Sequence, residues 1–259
     1  MILRGYYNSE ILHTSINIQF IIPDKGAGPY KVIYLLHGMH GNQGTWNDYT
    51  MLPYFSKEYD AIFVIPEVGR SFYCNQKFGR KFLSFTGDEL PKISRKIFNI
   101  SNRREDTAVM GCSMGGYGSL KLALSRPEQY GFCGSISAAC IYLKPMLDGL
   151  RVDADSYRKT GEEAEEILND LYCIFGNDLE YRSNDDVSAL IKNFPSGKPM
   201  PKFYITCGTE DDLREENLKL RDDMKNASLD FTYEEWSGGH EWYFFSEALK
   251  KTLEFWYKR

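Results

Sequence analysis

Ser113 stands in Gly111-Cys112-Ser113-Met114-Gly115, between the apolar run Thr107 to Met110 and a helix-like segment, Lys121 to Ser125. Gly-x-Ser-x-Gly between a strand and a helix is the layout of a sharp turn that presents a serine hydroxyl as a nucleophile. Such a turn strains the backbone at the serine, and the flanking glycines leave space where a Cβ would clash. The helix that follows would point its first N–H groups toward the hydroxyl. Three fixed residues recur by chance in chains of this length. The strand before them and the helix after them are what point to chemistry.

A serine hydroxyl is a poor nucleophile at neutral pH and needs a base. Of the four histidines, His13, His37 and His40 precede Ser113 and only His240 follows it. The chain order that accompanies this turn is Ser…Asp/Glu…His, so His240 is the one that can serve. It lies in a Gly-Gly-His loop between a strand, Leu229 to Trp236, and a helix ending near Tyr257. An acid must orient its imidazole. The strand Lys202 to Cys207 runs into Gly208-Thr209-Glu210-Asp211-Asp212, where Asp211 and Asp212 are both candidates and Glu210 is a third. Asp212 equally suits a helix N-cap. Two backbone N–H groups should face the developing oxyanion. Met114 supplies one. The loop His37-Gly38-Met39 supplies the other, through Met39 or, as second choice, Gly38. His37 and His40 are expected to be structural. Trp46 and Trp242 are candidate contacts for the acyl or alcohol part of a substrate, although aromatic burial needs no functional reason.

These groups require a frame. Ser15 to Ile22 alternates and stops at Pro23, as an antiparallel strand near a sheet edge would. Lys31 to Leu36 and Ala61 to Ile65 are almost continuously apolar, as in strands buried on both faces. Gly134 to Ala138 is a further strand. Helices are expected over Trp46 to Phe55, about Gly87 to Phe98 and about Glu215 to Asn226. From about 142 to 201 the rhythm breaks, with amphipathic helices over Glu162 to Leu171 and Asp185 to Phe194. This stretch reads as a cap-like insertion over one end of the sheet, within a single domain spanning 1–259. The alternation elsewhere implies a mostly parallel sheet covered on both faces.

Composition narrows the partners. The 259 residues carry a net charge of -5 with both signs mixed, so nucleic acid is an unsuitable partner. Apolar runs are strand-sized, well short of the ~20 residues of a membrane helix. The first residues lack an apolar signal core, which implies a cytoplasmic protein or a processed secreted form. Six cysteines without CxxC spacing read as free thiols rather than a zinc site or disulfide framework.

Taken together, the motifs resemble the esterase D-like branch of α/β hydrolases, which includes feruloyl, acetylxylan and tributyrin esterases and S-formylglutathione hydrolases. The resemblance rests on Leu35-Leu36-His37-Gly38-Met39-His40-Gly41-Asn42 with Trp46, Glu89-Leu90-Pro91, Gly111 to Gly118, Gly208-Thr209-Glu210-Asp211 and Gly239-His240-Glu241-Trp242. It implies the α/β-hydrolase fold, with a helical insertion after the sixth strand. It selects Asp211 over Asp212, as the aspartate of Gly-Thr-x-Asp, and places the oxyanion donors at Met39 and Met114. The implied activity is a serine carboxylesterase acting on short-chain acyl or carbohydrate-linked feruloyl or acetyl esters. No metal or cofactor is called for, and homo-oligomers occur among relatives. Thioester hydrolysis and acyl transfer to an alcohol are alternatives open to the same residues. The residues Met39, His40, Cys112 and Tyr117 depart from the pattern of the S-formylglutathione hydrolases and lower the thioester reading.

Overall fold

The computed structural model describes residues 1–24 and 26–258. Eight strands form one sheet: β1 Ile2–Ser9, β2 Thr14–Ile21, β3 Lys31–Leu36, β4 Ala61–Pro66, β5 Thr107–Cys112, β6 Phe132–Ile136, β7 Lys202–Gly208 and β8 Phe231–Trp236. Their spatial order is β1-β2-β4-β3-β5-β6-β7-β8. β1 pairs antiparallel with β2, and β2 antiparallel with β4, while β4 through β8 run parallel. The helices are α1 Thr45–Tyr49, α2 Leu52–Phe55, α3 Phe82–Ser84, α4 Leu90–Ile97, α5 Met114–Ser125, α6 Leu143–Arg158, α7 Glu162–Phe175, α8 Val187–Lys192, α9 Arg214–Asn226 and α10 Trp242–Tyr257.

Strand β3 explains why its sequence is apolar throughout. Side chains alternate across a strand, so Val32, Tyr34 and Leu36 enter one core and Ile33 and Leu35 the other. The first core is covered by α3 to α9 and the second by α1, α2 and α10. This is the expected mostly parallel sheet with helices on both faces.

Four elements differ from expectation. β1 has no signature in the sequence, because it is an edge strand exposed along most of its length and has no buried face to imprint a pattern. The helix expected over Trp46 to Phe55 is broken at Thr50, whose backbone is extended and whose hydroxyl accepts the Leu52 N–H at 3.0 Å. The helix expected from Gly87 opens with a π-turn, Phe85–Glu89. There the Glu89 carboxylate takes the Glu10 N–H at 2.8 Å and the Ser9 hydroxyl, tying the β1–β2 hairpin to the body. Helix α6 is poorly marked in the sequence because Pro145 and Gly149 depress its helical propensity. It kinks at Asp153 (φ -149°, ψ 72°), whose carboxylate accepts the Ser156 N–H and restarts the helix.

Helix α5 carries a buried cation behind the Ser113 turn. Lys121 is fully buried, and its Nζ lies 3.1 Å from Asp185 Oδ1, 2.9 Å from Cys74 Sγ, 3.2 Å from Tyr117 Oη and 3.3 Å from the Phe72 carbonyl. Arg182 Nε approaches the other Asp185 oxygen at 2.8 Å. Removing one partner of a buried pair leaves the other charge uncompensated, which costs far more than the pair gains. Asp185→Ala is therefore expected to lower unfolding stability by about 3–5 kcal/mol, read from urea titration. A change under about 0.5 kcal/mol would mean that the carbonyl, thiol and phenol partners suffice for Lys121.

Candidate active site

The expected catalytic residues emerge at one end of the sheet. Ser113 follows β5, Asp211 follows β7 and His240 follows β8, all beyond the carboxyl ends of parallel strands. That is where open α/β sheets place their ligands.

Ser113 has φ 54° and ψ -121°, a left-handed conformation that costs a non-glycine residue energy. Its N–H donates to the Ile136 carbonyl at 2.9 Å, and Ala139 N–H donates to its carbonyl at 3.3 Å. The two flanking glycines are sterically required. A Cβ on Gly111 would stand 2.4 Å from the Gly115 carbonyl oxygen, and one on Gly115 would stand 2.4 Å from the Leu36 carbonyl oxygen. Close packing of the turn against β3 thus permits the strained serine.

His240 Nε2 lies 2.9 Å from Ser113 Oγ, and His240 Nδ1 lies 2.9 Å from Asp211 Oδ2. With the Nδ1 proton donated to Asp211, Nε2 is the acceptor facing the serine hydroxyl. Asp211 is buried, and its other oxygen accepts the Leu213 N–H at 2.8 Å. Burial alone would raise its pKa, but the hydrogen bonds from His240 and Leu213 outweigh it and hold the carboxyl below its ordinary value. Asp212 is exposed. Glu210 braces the loops instead of the imidazole. Its carboxylate accepts the Gly238 N–H while its own N–H donates to the Gly238 carbonyl at 3.1 Å. Thr209 N–H adds a bond to the Trp236 carbonyl at 2.9 Å. The acid loop and the histidine loop are thereby fastened together.

The loop after β3 reaches the same point. A Cβ on Gly38 would lie 3.5 Å from Ser113 Cβ. Met114 opens α5, so its N–H has no partner within the helix. Among the described residues, neither the Met114 nor the Met39 N–H donates a hydrogen bond within the protein. His37 fixes this loop. Its Nδ1–H donates to the Gly38 carbonyl at 2.8 Å, its Nε2 accepts the Val68 N–H at 3.2 Å, and its carbonyl accepts the Tyr73 hydroxyl at 2.9 Å. Burial lowers its pKa and favours the neutral ring. His40 is exposed, with Nε2 3.4 Å from Glu163 on α7.

A cavity of about 400 Å³ opens on Ser113. Phe72, from the loop after β4, lines it, as do Tyr142, Met146, Tyr157 and Ile167 from the segment between β6 and β7. Leu213 and Glu216 complete it and carry no motif that would mark them in the sequence. The expectation that Trp46 and Trp242 contact substrate is corrected. Trp46 is fully buried, with its indole N–H donated to the Leu36 carbonyl at 2.9 Å. Trp242 packs edge-on against Trp46 at 5.5 Å and borders a separate surface groove with Tyr49, Met51 and Tyr243. Neither lines the Ser113 cavity. Both are drawn into the aromatic packing between α1 and α10, which is satisfied without a ligand.

Among the described residues, no three His, Cys, Asp or Glu side chains converge on a common metal position, and the cysteines are unpaired. No helix among those residues is long and apolar enough to cross a membrane.

Residues 9–256 match a family model described as "Putative esterase". An acetyl esterase from Caldicellulosiruptor saccharolyticus is 29% identical, with the match covering 98% of this chain and 97% of that protein. Among solved structures, the fluorophosphonate-binding serine hydrolase F of Staphylococcus aureus superposes with a TM-score of 0.83 at 24% identity, covering 99% and 98% of the two chains. A ferulic acid esterase superposes with a TM-score of 0.76 at 20% identity, covering 100% and 97%.

Proposed function

The chain belongs to the esterase family and has the α/β-hydrolase fold; it is a carboxylic ester hydrolase, and on that premise we propose that Ser113, His240 and Asp211 are its catalytic triad. The observation that carries this reading is the continuous line Ser113 Oγ–His240 Nε2 and His240 Nδ1–Asp211 Oδ2, both contacts 2.9 Å.

Ser113 Oγ attacks the ester carbonyl carbon while His240 Nε2 takes the hydroxyl proton. The tetrahedral oxyanion is held by the Met39 and Met114 N–H groups, which are preorganised and unspent. Collapse breaks the bond to the alcohol oxygen, and His240 returns the proton to that leaving group. Water then attacks the acyl-serine, again giving its proton to His240; collapse breaks the bond to Ser113 Oγ, His240 returns the proton to that oxygen, and the acid departs. Asp211 holds the imidazole tautomer throughout and stabilises the imidazolium formed at each transfer.

The substrate class is a short-chain acyl ester or a carbohydrate-linked acetyl or feruloyl ester. An acetyl esterase among the relatives and a ferulic acid esterase among the structural neighbours support acetyl and feruloyl as the acyl groups. Residues 142–201 act as the cap: four of their side chains wall the acyl cavity. A cavity of this size and apolar lining accommodates more than an acetyl group. The expected result is a kcat/KM for methyl ferulate that exceeds the no-enzyme and Ser113→Ala blanks and is appreciable beside p-nitrophenyl acetate. Acetate turnover with no ferulate turnover would restrict the protein to small acyl groups.

A further inference from the structure

Among the described residues, Glu216 is the one charged side chain in the lining of the Ser113 cavity. The rest of that lining is dominated by apolar surface from residues such as Met39, Phe72, Met114, Met146 and Ile167. Glu216 sits in the first turn of α9, and its Oε1 accepts the N–H groups of Ile141 at 2.7 Å and Tyr142 at 3.3 Å. Both bonds converge on one oxygen. The Cys140 N–H also attracts the carboxylate; among the described residues Glu216 makes no ion pair, and its oxygens keep lone pairs for a further donor. The nearby Lys219 does not neutralise it by contact, because its Nζ lies 3.8 Å over the Tyr142 ring.

The position is informative. Ala139 N–H bonds the Ser113 carbonyl, and the Glu216 carboxylate caps the chain two and three residues further on. The carboxylate therefore lies in the wall of the cavity that opens on Ser113. An acyl chain of hydrocarbon alone would fill the cavity and strip water from the carboxylate without replacing its hydrogen bond, which is costly for a polar oxygen. A site with such an acceptor discriminates strongly against ligands that lack the matching donor.

We propose that Glu216 selects the acyl group: the cavity takes an apolar acyl chain that bears a hydroxyl, and the Glu216 carboxylate accepts that hydroxyl's hydrogen bond. The proposal rests on the assignment of Ser113 as nucleophile and takes the cavity that opens on it as the acyl site. Burial raises the Glu216 carboxyl pKa, while the Ile141, Tyr142 and Cys140 N–H groups and the Lys219 charge oppose the shift. The hydroxyl preference should accordingly weaken as the pH falls and the carboxylate takes up a proton.

The test compares kcat/KM for methyl 3-phenylpropanoate with that for its 3-hydroxyphenyl and 4-hydroxyphenyl analogues, in the native protein and in Glu216→Gln. The glutamine keeps an oxygen for the Ile141 and Tyr142 N–H groups and turns an NH₂ donor into the cavity. The expected native ratio is about tenfold or more in favour of at least one hydroxylated ester, the scale of one hydrogen bond to a charged group. In Glu216→Gln that ratio should fall several-fold, because a neutral amide N–H donated to the hydroxyl oxygen replaces a bond accepted by a charged carboxylate. A merely structural Glu216 would lower all three esters together and leave the ratio unchanged. The proposal is overturned by a native ratio near one, by a ratio that survives in Glu216→Gln, or by p-nitrophenyl acetate turnover with no turnover of any phenylpropanoate. Failure of every ester, p-nitrophenyl acetate included, would instead overturn the triad assignment on which the proposal stands.

Discussion

Ser113→Ala is expected to lower kcat for p-nitrophenyl acetate by about 10⁵- to 10⁶-fold, the loss typical of removing a serine nucleophile from an intact triad. Some acceleration over water should remain, because the Met39 and Met114 amides and the cavity are untouched. The fold should survive. Alanine carries the same Cβ into the strained conformation at φ 54°, so it relieves nothing and adds no clash. Glycine would release that strain and is the poorer control. Unchanged thermal unfolding with lost turnover, and lost mass-labelling by a fluorophosphonate, would together assign the nucleophile. Turnover within tenfold of the native protein would remove Ser113 from the mechanism.

The legibility of this site in the sequence follows from how local each constraint is. The nucleophile turn is written within five residues, because Gly111 and Gly115 are needed wherever the strained serine packs against β3. The histidine is legible by scarcity, since only His240 follows Ser113. The choice between Asp211 and Asp212 is not legible from spacing. They are neighbours in sequence, and only the fold buries one against His240 while leaving the other in solvent. The tryptophans mislead for a related reason. A Trp beside a catalytic motif has the same sequence signature whether it faces a ligand or another ring, and Trp46 faces Trp242. The cavity wall is the least legible part. It gathers Phe72, Tyr157 and Glu216 from three distant segments, none with a pattern of its own. The sheet itself is legible at its buried strands, where burial on both faces imposes continuous apolar runs, and illegible at β1, where no burial imposes anything.

Asp211→Asn should lower kcat by about 10⁴-fold, whereas Asp212→Asn should change it by no more than about twofold. The size of the first effect follows from which oxygen of Asp211 does what. Oδ1 accepts the Leu213 N–H at 2.8 Å, and Oδ2 accepts the Nδ1–H of His240 at 2.9 Å. An asparagine has one oxygen to place. The Leu213 backbone N–H is fixed and can only donate, so it claims that oxygen. The asparagine NH₂ is then left facing His240 Nδ1. That face of the ring must now accept, and the imidazole proton moves to Nε2. A protonated Nε2 cannot take the proton of Ser113, although every heavy atom sits where it did. The variant should therefore keep its KM and its unfolding midpoint near native while losing kcat. It should also lose the carboxylate charge that stabilises the imidazolium in each transfer step. Asp212 is exposed and touches neither group, so its amide has nothing to disturb. The decisive measurement is kcat for both variants at one pH, with the imidazole nitrogens followed by ¹⁵N NMR to read the tautomer. Equal losses at the two aspartates would mean that the acid had been misassigned. A large loss at Asp211 with the native tautomer retained would transfer the effect from proton placement to charge alone.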